Sequence, residues 1–164
     1  MTSREFSGLV ISMAKRSAGV ILYRRRVGVE VFLVHPGGPF WAKKDEGAWS
    51  IPKGEYEEGE ESIDVARREF FEETGFEVSG YFVEIGSIKQ TGGKVVSAWA
   101  VEGDCYPDLL RSNLFEMEWP PRSGRVQSFP EADRGEWFSL GEARRKILKS
   151  QEPLLDMFST VLGL

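Results

Sequence analysis

The 164-residue chain is 41% hydrophobic, 29% charged and 12% aromatic, which is typical of one folded globular domain and argues against a disordered chain. Its net charge of −5 provides no general attraction for nucleic acid or an anionic membrane, so an anionic substrate has to be held by local basic groups or by metal. The single cysteine, Cys105, excludes an intrachain disulfide and fits a reducing cytosol.

The N-terminal residues precede the pattern of the domain. The apolar run at residues 8–13 is too short for a secretory signal core or a membrane span. We therefore expect a cytoplasmic protein in which residues 1–13 are an N-terminal extension and residues 14–164 form a single domain. No membrane partner and no specific nucleic-acid partner is expected.

Extended segments open the domain. Runs of β-branched and aromatic residues at 18–24 and 29–34 predict two strands joined by a tight connection. A glycine- and proline-rich surface loop follows and rejoins a short extended piece at residues 49–51, which Pro52 is expected to end.

The middle of the chain predicts one helix and two strands. In residues 62–74, Ile63, Ala66 and Phe70 recur on one stripe, and Gly75 stands where a left-handed C-terminal residue belongs. Two apolar segments then predict strands in the middle of the sheet, at residues 81–90 and 94–103.

The last third predicts a hairpin and two helices. Alternation places Phe115, Met117 and Trp119 on one face of a strand, and residues 126–129 provide its partner. Ser139 precedes Glu142 by three residues and predicts a capped helix to about Lys149. Pro153 is expected to begin a last helix with one apolar face: Leu154, Leu155, Phe158, Val161 and Leu162.

Three carboxylates crowd one edge of the first predicted helix. Glu69, Glu72 and Glu73 fall within an arc of about 100° on a helical wheel. Like charges at these spacings destabilise a helix by a few tenths of a kcal/mol per pair, and the C-terminal half of the helix dipole also disfavours them. A bound divalent cation would make the same crowding favourable, because Mg²⁺ and Mn²⁺ bind hard oxygen ligands. The alternative is a solvated acidic face with Arg67 and Arg68 as partners.

The spacing around this helix favours the metal-binding interpretation. Nine positions follow one pattern: Gly54, Glu60, Arg68, Glu69, Phe70, Glu72, Glu73, Gly75 and Phe76. The pattern resembles the signature of the Nudix hydrolases at every specified position. The resemblance implies an α/β fold, namely an α/β/α sandwich with a mixed β-sheet, in which the motif forms a loop, a helix and a loop.

The resemblance also implies roles for the motif residues. Four of them correspond to ligands of Mg²⁺, with Mn²⁺ as a possible substitute: the Gly54 carbonyl and the carboxylates of Glu69, Glu72 and Glu73. Glu60 and Arg68 correspond to a salt-bridged pair that orients the loop and the helix.

The reaction implied by the family is the hydrolysis of a nucleoside diphosphate linked to another group. Water attacks a phosphorus atom while metal neutralises the oxygens and the leaving group. Glu72 or Glu73 of the motif is a candidate general base. Glu131 is another, because it precedes the strand leading to Trp137 and a loop glutamate serves in other branches of the family. The alternative for Glu131 is a surface loop acid.

Candidate substrate contacts lie outside the helix. Lys53, Arg122 and Arg125 are candidates for contact with phosphate, the two arginines from the tip of the second hairpin. A solvated surface position is the alternative for each arginine. Four aromatic residues are candidates for stacking on a base, with core packing as the alternative for each: Trp49, Trp41, Phe40 and Trp119. His35, the only histidine, is predicted to be structural rather than catalytic.

We therefore expect a Mg²⁺-dependent Nudix pyrophosphohydrolase that binds a small-molecule nucleotide, as a monomer or homodimer. The segment WSIPKGE before the helix resembles the corresponding segment of dinucleoside polyphosphate hydrolases and some nucleoside triphosphate pyrophosphohydrolases. An ADP-ribose or nucleotide-sugar pyrophosphatase is the alternative within enzymes. A non-catalytic nucleotide-binding regulatory module is the alternative of another class, although such a module is expected to have lost one of the three ligand glutamates.

Overall fold

The computed structural model describes residues 15–164, and the predicted extension at residues 1–13 lies outside the described residues. The strands are β1 (Arg16–Arg25), β2 (Val29–Pro36), β3 (Lys53–Tyr56), β4 (Val83–Lys89), β5 (Val95–Glu102), β6 (Leu114–Glu118), β7 (Val126–Pro130) and β8 (Ala132–Ser139). The α-helices are α1 (Ser62–Thr74), α2 (Leu140–Lys146) and α3 (Glu152–Leu162). Within this part of the chain, no helix combines the length and the apolar character needed to cross a membrane.

A mixed six-stranded sheet organises these elements. Its order is β4-β5-β1-β2-β8, and β3 pairs with the beginning of β1. β1 runs parallel to β5 and antiparallel to β2. Residues 17–23 of β1 are all buried, as expected for a central strand covered on both faces. β6 and β7 form a separate two-stranded hairpin.

Two apolar layers cover the two faces of the sheet. Ile21 and Tyr23 of β1 belong to the layer that also contains the buried residues of α2 and α3. Val20 and Leu22 belong to the layer that contains the buried residues of α1. The predicted fold class, an α/β/α sandwich with a mixed sheet, is confirmed.

Several predicted element boundaries need correction. Strand structure resumes at Lys53, directly after Pro52, because β3 pairs with β1. Only β5 of the two middle strands is interior, and β4 forms the edge of the sheet. The capping of α2 is as predicted, since Ser139 Oγ accepts the Glu142 N–H at 3.2 Å. The helix ends at Lys146 rather than Lys149, because the chain then extends to bridge Trp49.

Two apolar faces differ in detail from the prediction. In α1, Val65 is buried with Ala66 and Phe70, whereas Ile63 is only partly buried. In α3, Val161 is 45% exposed, whereas the next residue, Leu162, packs against the apolar layer that the helix covers.

His35 fixes the loop that follows β2. The side chain is completely buried, and its Nε2 donates to the Lys44 carbonyl at 2.6 Å. Its Nδ1 lies 2.8 Å from Asp133 Oδ1 in β8. These contacts agree with the structural role predicted for the only histidine, because both ring nitrogens are used to hold the loop against the sheet.

The completely buried Gln151 joins the 50–51 segment to the start of α3. Its Oε1 accepts the Ile51 N–H at 3.1 Å, and its Nε2 donates to Ser50 Oγ at 2.9 Å. We expect Gln151→Ala to lower the free energy of unfolding by about 2 kcal/mol, because it leaves the buried Ile51 N–H without an acceptor. Chemical denaturation measures the loss. Gln90→Ala is the control, since Gln90 bonds Ser150 Oγ on the exposed surface; an equal loss in both variants would contradict the assignment.

Candidate active site

The helix α1 presents its glutamates at one side of the sheet. Its apolar stripe is buried against β1, and Gly75 ends it with φ 79°, donating its N–H to the Phe71 carbonyl at 2.7 Å. This packing leaves the helix edge that carries Glu69 and Glu73 facing β3. The predicted helix and its glycine terminus are present.

Gly54 in β3 provides the space that Glu69 occupies. A Cβ atom built on Gly54 would lie 1.8 Å from Glu69 Oε1. Any side chain at this position therefore excludes the observed position of the carboxylate, and glycine permits the close approach. The motif glycine and the first motif glutamate of the helix are thus neighbours in space.

The raised pKa values of two glutamates follow from burial and crowding. Burial raises the pKa of Glu73 to about 8, even though the Lys53 backbone N–H donates to its Oε2 at 3.3 Å. Burial also raises the pKa of Glu69, and the charge of Glu72 acts in the same direction. Negative charge on this edge of α1 is therefore unfavourable.

Arg68 offsets part of this charge and connects the helix to the loop before it. Its Nη1 lies 2.7 Å from Glu60 Oε2, so the predicted ion pair is present. Its Nε lies 3.6 Å from Glu69 Oε2 and 3.9 Å from Glu72 Oε2. Hydrogen bonds from the Glu57 N–H and from Arg68 lower the pKa of Glu60, which keeps this partner ionised.

Glu131 contributes a fourth carboxylate close to the three motif glutamates. It forms the corner between β7 and β8, where its carbonyl accepts the Gly37 N–H at 3.0 Å. Burial raises the pKa of Glu131, and the charge of Glu72 adds to the effect. Glu131 in turn raises the pKa values of two motif glutamates. The tertiary structure therefore brings this remote residue beside the helix edge.

Two adjoining cavities extend from the carboxylates. The smaller has a volume of about 270 Å³ and is lined by Lys53, Glu73 and Glu131, among others. The larger, of about 410 Å³, shares Trp41 and Glu131 with the smaller one. Its other lining residues include three large apolar side chains: Phe40, Phe115 and Met117. We call the two together the cleft; it is acidic at one end and aromatic at the other.

The prediction that Trp49 contacts substrate needs correction. Its side chain is completely buried, its indole N–H donates to Asp45 Oδ1 at 2.8 Å, and its ring packs edge-on against Phe138. No face is left for a base. Trp41 and Phe40, two of the alternatives, line the cleft instead.

The basic candidates have different positions. Lys53 lies in the smaller cavity. Arg122 and Arg125 lie on the exposed tip of the β6–β7 hairpin and line neither cavity of the cleft. Their contact with phosphate stays a prediction.

Sequence reasoning missed Phe115 and Met117 as lining residues. Alternation had placed both on one face of β6, and both are partly buried. The usable signal was the alternation itself, which gives the hairpin one apolar face. A hairpin with an uncovered apolar face is typical of a cleft wall.

The donors at the acidic end fit a divalent cation after side-chain rotation. Among residues 15–164, no group of three or more histidine, cysteine, aspartate or glutamate side chains is already arranged to hold a metal ion. Glu69 and Glu72 face the Arg68 guanidinium, whereas Glu73 faces the Lys53 N–H. Their oxygen atoms are nonetheless the hard donors that Mg²⁺ and Mn²⁺ bind, and their mutual repulsion favours a cation.

Comparisons with known proteins identify the family. Residues 13–158 match the model of the NUDIX domain. A Caenorhabditis elegans Ap4A hydrolase, solved as a binary complex, has a TM-score of 0.60 at 23% identity, covering 90% of this chain and 98% of that chain. The NUDIX domain of Shewanella oneidensis NrtR, complexed with ADP ribose, has a TM-score of 0.65 at 15% identity, covering 99% of both chains. Fold and motif agree with the family match: the chain belongs to the NUDIX family, and the predicted class, a Nudix hydrolase, is confirmed.

Proposed function

We propose that this protein hydrolyses a diphosphate linkage of a small-molecule nucleotide with the help of Mg²⁺, and that a dinucleoside polyphosphate or a nucleoside triphosphate is its substrate. The observation that carries the proposal is the cleft, which joins a cavity lined by Glu73 and Glu131, next to the other motif glutamates, to an aromatic cavity. Its two ends match the two halves of a nucleotide, because cation-bound phosphates suit the acidic end and a base suits the aromatic end.

The motif residues are the proposed metal ligands: the Gly54 carbonyl and the carboxylates of Glu69, Glu72 and Glu73. A bound cation would neutralise the phosphate oxygens and the leaving group during hydrolysis. The ion pair between Glu60 and Arg68 supports this role, because it ties the loop before α1 to the middle of the helix. Mn²⁺ is a possible substitute for Mg²⁺, since it binds the same donors.

We assign the role of proton acceptor to Glu131. Its carboxylate lines both cavities of the cleft, and burial raises its pKa towards the range in which a general base works best. A water molecule then attacks phosphorus while Glu131 takes its proton, and the anhydride P–O bond breaks with its electron pair on the leaving phosphate. Glu73 is less suited, because its Oε2 already accepts the Lys53 N–H. Glu72 is the other alternative.

The remaining contacts follow from the two ends of the cleft. Lys53 is placed to meet a phosphate in the smaller cavity as a point charge. Trp41 and Phe115 offer aromatic surfaces for a base in the larger one. Arg122 and Arg125 reach a longer phosphate chain only if the hairpin tip folds over the cleft, so their role is proposed for the longer substrates.

The alternative substrates have their own support. The NUDIX domain of NrtR, which shares this fold, was solved with ADP ribose bound. That observation favours an ADP-ribose or nucleotide-sugar pyrophosphatase as the second candidate. The Ap4A hydrolase of Caenorhabditis elegans shares the fold as well and supports the first candidate. Both similarities concern the fold alone, so measured turnover has to distinguish the two classes of substrate.

A panel of nucleotides tests the proposed reaction directly. Purified protein with Mg²⁺ should give its highest kcat/KM on Ap4A or a nucleoside triphosphate, with ADP-ribose and nucleotide sugars below them. Mass spectrometry of products formed in ¹⁸O-water identifies the phosphorus that water attacks.

Glu72→Gln should lower kcat about a hundredfold or more, because a metal donor is weakened. Glu58→Gln, at an exposed position that the motif leaves unspecified, is the control. Absence of turnover with both Mg²⁺ and Mn²⁺ would favour the regulatory module instead.

The raised pKa of Glu73 predicts a pH-dependent stability of the metal-free protein. Its pKa is about 8 in the folded state against an ordinary value of 4.5. Between these pH values the folded state binds a proton that the unfolded state has lost, so stability falls as pH rises through this range. Glu73→Gln removes the ionisation, and we expect it to raise the Tm of EDTA-treated protein more at pH 8 than at pH 5. Glu58→Gln is again the control. Equal shifts at both pH values would contradict the assignment.

The aromatic end of the cleft predicts an effect on substrate affinity. We expect Phe115→Ala to raise KM about tenfold with little change in kcat, because base stacking on one aromatic ring contributes about 1 to 3 kcal/mol. Phe129→Ala is the matched control: its ring lies 6.0 Å from that of Phe115 in the same hairpin but does not line the cleft. Steady-state kinetics on Ap4A and ATP measure both variants. Similar KM values for the two would indicate that the hairpin acts only through its structure.

A further inference from the structure

The corner that carries Glu131 is held by hydrogen bonds on both sides of its Cα atom. The Glu131 N–H donates to the Asn113 carbonyl at 2.8 Å, and the Glu131 carbonyl accepts the Gly37 N–H at 3.0 Å. The next amide, that of Ala132, donates to Ser112 Oγ at 2.9 Å. Three consecutive polar groups of the backbone are therefore fixed, and with them the direction in which the Glu131 side chain leaves the chain.

The residues that hold this corner are themselves tied to α1. The Arg111 N–H donates to the Thr74 carbonyl and the Asn113 N–H donates to the Glu72 carbonyl, both at 2.8 Å. Segment 111–113 thus bridges the C-terminal turn of α1 and the β7–β8 corner. Glu131 is placed relative to the motif glutamates by this bridge.

Ser112 contributes the side-chain group of the bridge. Its hydroxyl accepts the Ala132 N–H and donates to the Asn113 carbonyl at 2.6 Å, the same carbonyl that accepts the Glu131 N–H. The hydroxyl therefore connects the two amides that flank Glu131. Ala132 is buried, so loss of the hydroxyl takes the acceptor away from the N–H of a buried residue.

We propose that Ser112 is a positioning residue for Glu131: its hydroxyl fixes the β7–β8 corner so that the Glu131 carboxylate points into the cleft. The inference rests on the proposed role of Glu131 as the proton acceptor. Ser112 does not line either cavity of the cleft, so it acts through Glu131 and not on the substrate.

The packing of the corner explains why the loss of one hydroxyl matters. A Cβ atom built on Gly37 would lie 1.9 Å from the Pro130 carbonyl oxygen, so the loop after β2 is pressed against the corner. When Ser112 no longer accepts the Ala132 N–H, the corner has to shift to expose that amide or leave it unpaired. Misplacing a reacting group by about 1 Å can lower the rate up to about a hundredfold.

A double-mutant cycle tests the proposal. Ser112→Ala, Glu131→Gln and the double variant are compared with the parent protein for kcat and KM on Ap4A, ATP and ADP-ribose with Mg²⁺. We expect Ser112→Ala to lower kcat about tenfold with KM changed less than about twofold, and to have no further effect in the Glu131→Gln background. Ser112→Thr keeps the hydroxyl and should restore kcat to within about twofold of the parent.

Control variants separate positioning from stability. Ser87→Ala removes a hydroxyl that bonds Ser97 Oγ at 2.8 Å on the far strands β4 and β5, and it should leave kcat unchanged. Thermal unfolding of every variant checks the fold. If Ser112→Ala unfolds, Ser112→Cys preserves the volume, weakens both hydrogen bonds and enters the same cycle.

Each outcome of the cycle bears on the positioning role of Ser112, on the role of Glu131 as proton acceptor, or on both. An equal loss of kcat from Ser112→Ala in both backgrounds would overturn the positioning role, because the effect would not pass through Glu131. Unchanged kcat in Ser112→Ala with a strongly lowered kcat in Glu131→Gln would also overturn it and leave Glu131 as the proton acceptor. Unchanged kcat in Glu131→Gln, with Glu72→Gln inactive, would remove both assignments and leave the hydrolase function in place.

Discussion

Repulsion among the carboxylates of one cleft is the constraint around which the site is arranged. Glu69, Glu72 and Glu73 come from one edge of α1, and Glu131 reaches them from the β7–β8 corner. Arg68 offsets part of the charge, but its shortest contact is with Glu60 outside the cleft, at 2.7 Å. Raised pKa values record the remaining repulsion and the burial that accompanies it. A divalent cation would remove both costs at once, which is the physical basis of the proposed metal site.

The fold keeps these repelling groups together through apolar burial elsewhere. Val65, Ala66 and Phe70 anchor α1 in the layer beneath the sheet, and each large apolar side chain contributes about 1.5 to 3 kcal/mol when fully buried. A like-charge pair on a helix costs only a few tenths of a kcal/mol. Burial therefore wins, and α1 cannot rotate to relieve its edge. The absence of a side chain at Gly54 completes the arrangement, because it lets Glu69 lie directly against β3.

The parts of this structure that follow from local spacing were predictable, and those that depend on distant contacts were not. The helix, its glycine terminus and the ion pair of Glu60 with Arg68 all lie within one short motif, so the sequence specifies them without the tertiary fold. The aromatic cavity instead joins the loop after β2 to the β6–β7 hairpin, which are far apart in the chain. Trp49 was mispredicted because its ring packs against Phe138, which is far away in the sequence, although its hydrogen-bond partner Asp45 is a near neighbour.

The backbone connections of the cleft indicate what has to move when a cation binds. Asn113 joins α1 to the β7–β8 corner, since its N–H donates to the Glu72 carbonyl and its carbonyl accepts the Glu131 N–H. The backbone segments that carry the four carboxylates are thus connected by hydrogen bonds. What separates the carboxylates is the direction of their side chains, because Glu73 faces the Lys53 N–H while the other motif glutamates face Arg68. The proposed metal site would therefore form by rotation about side-chain bonds, with the α1 backbone left packed against the sheet.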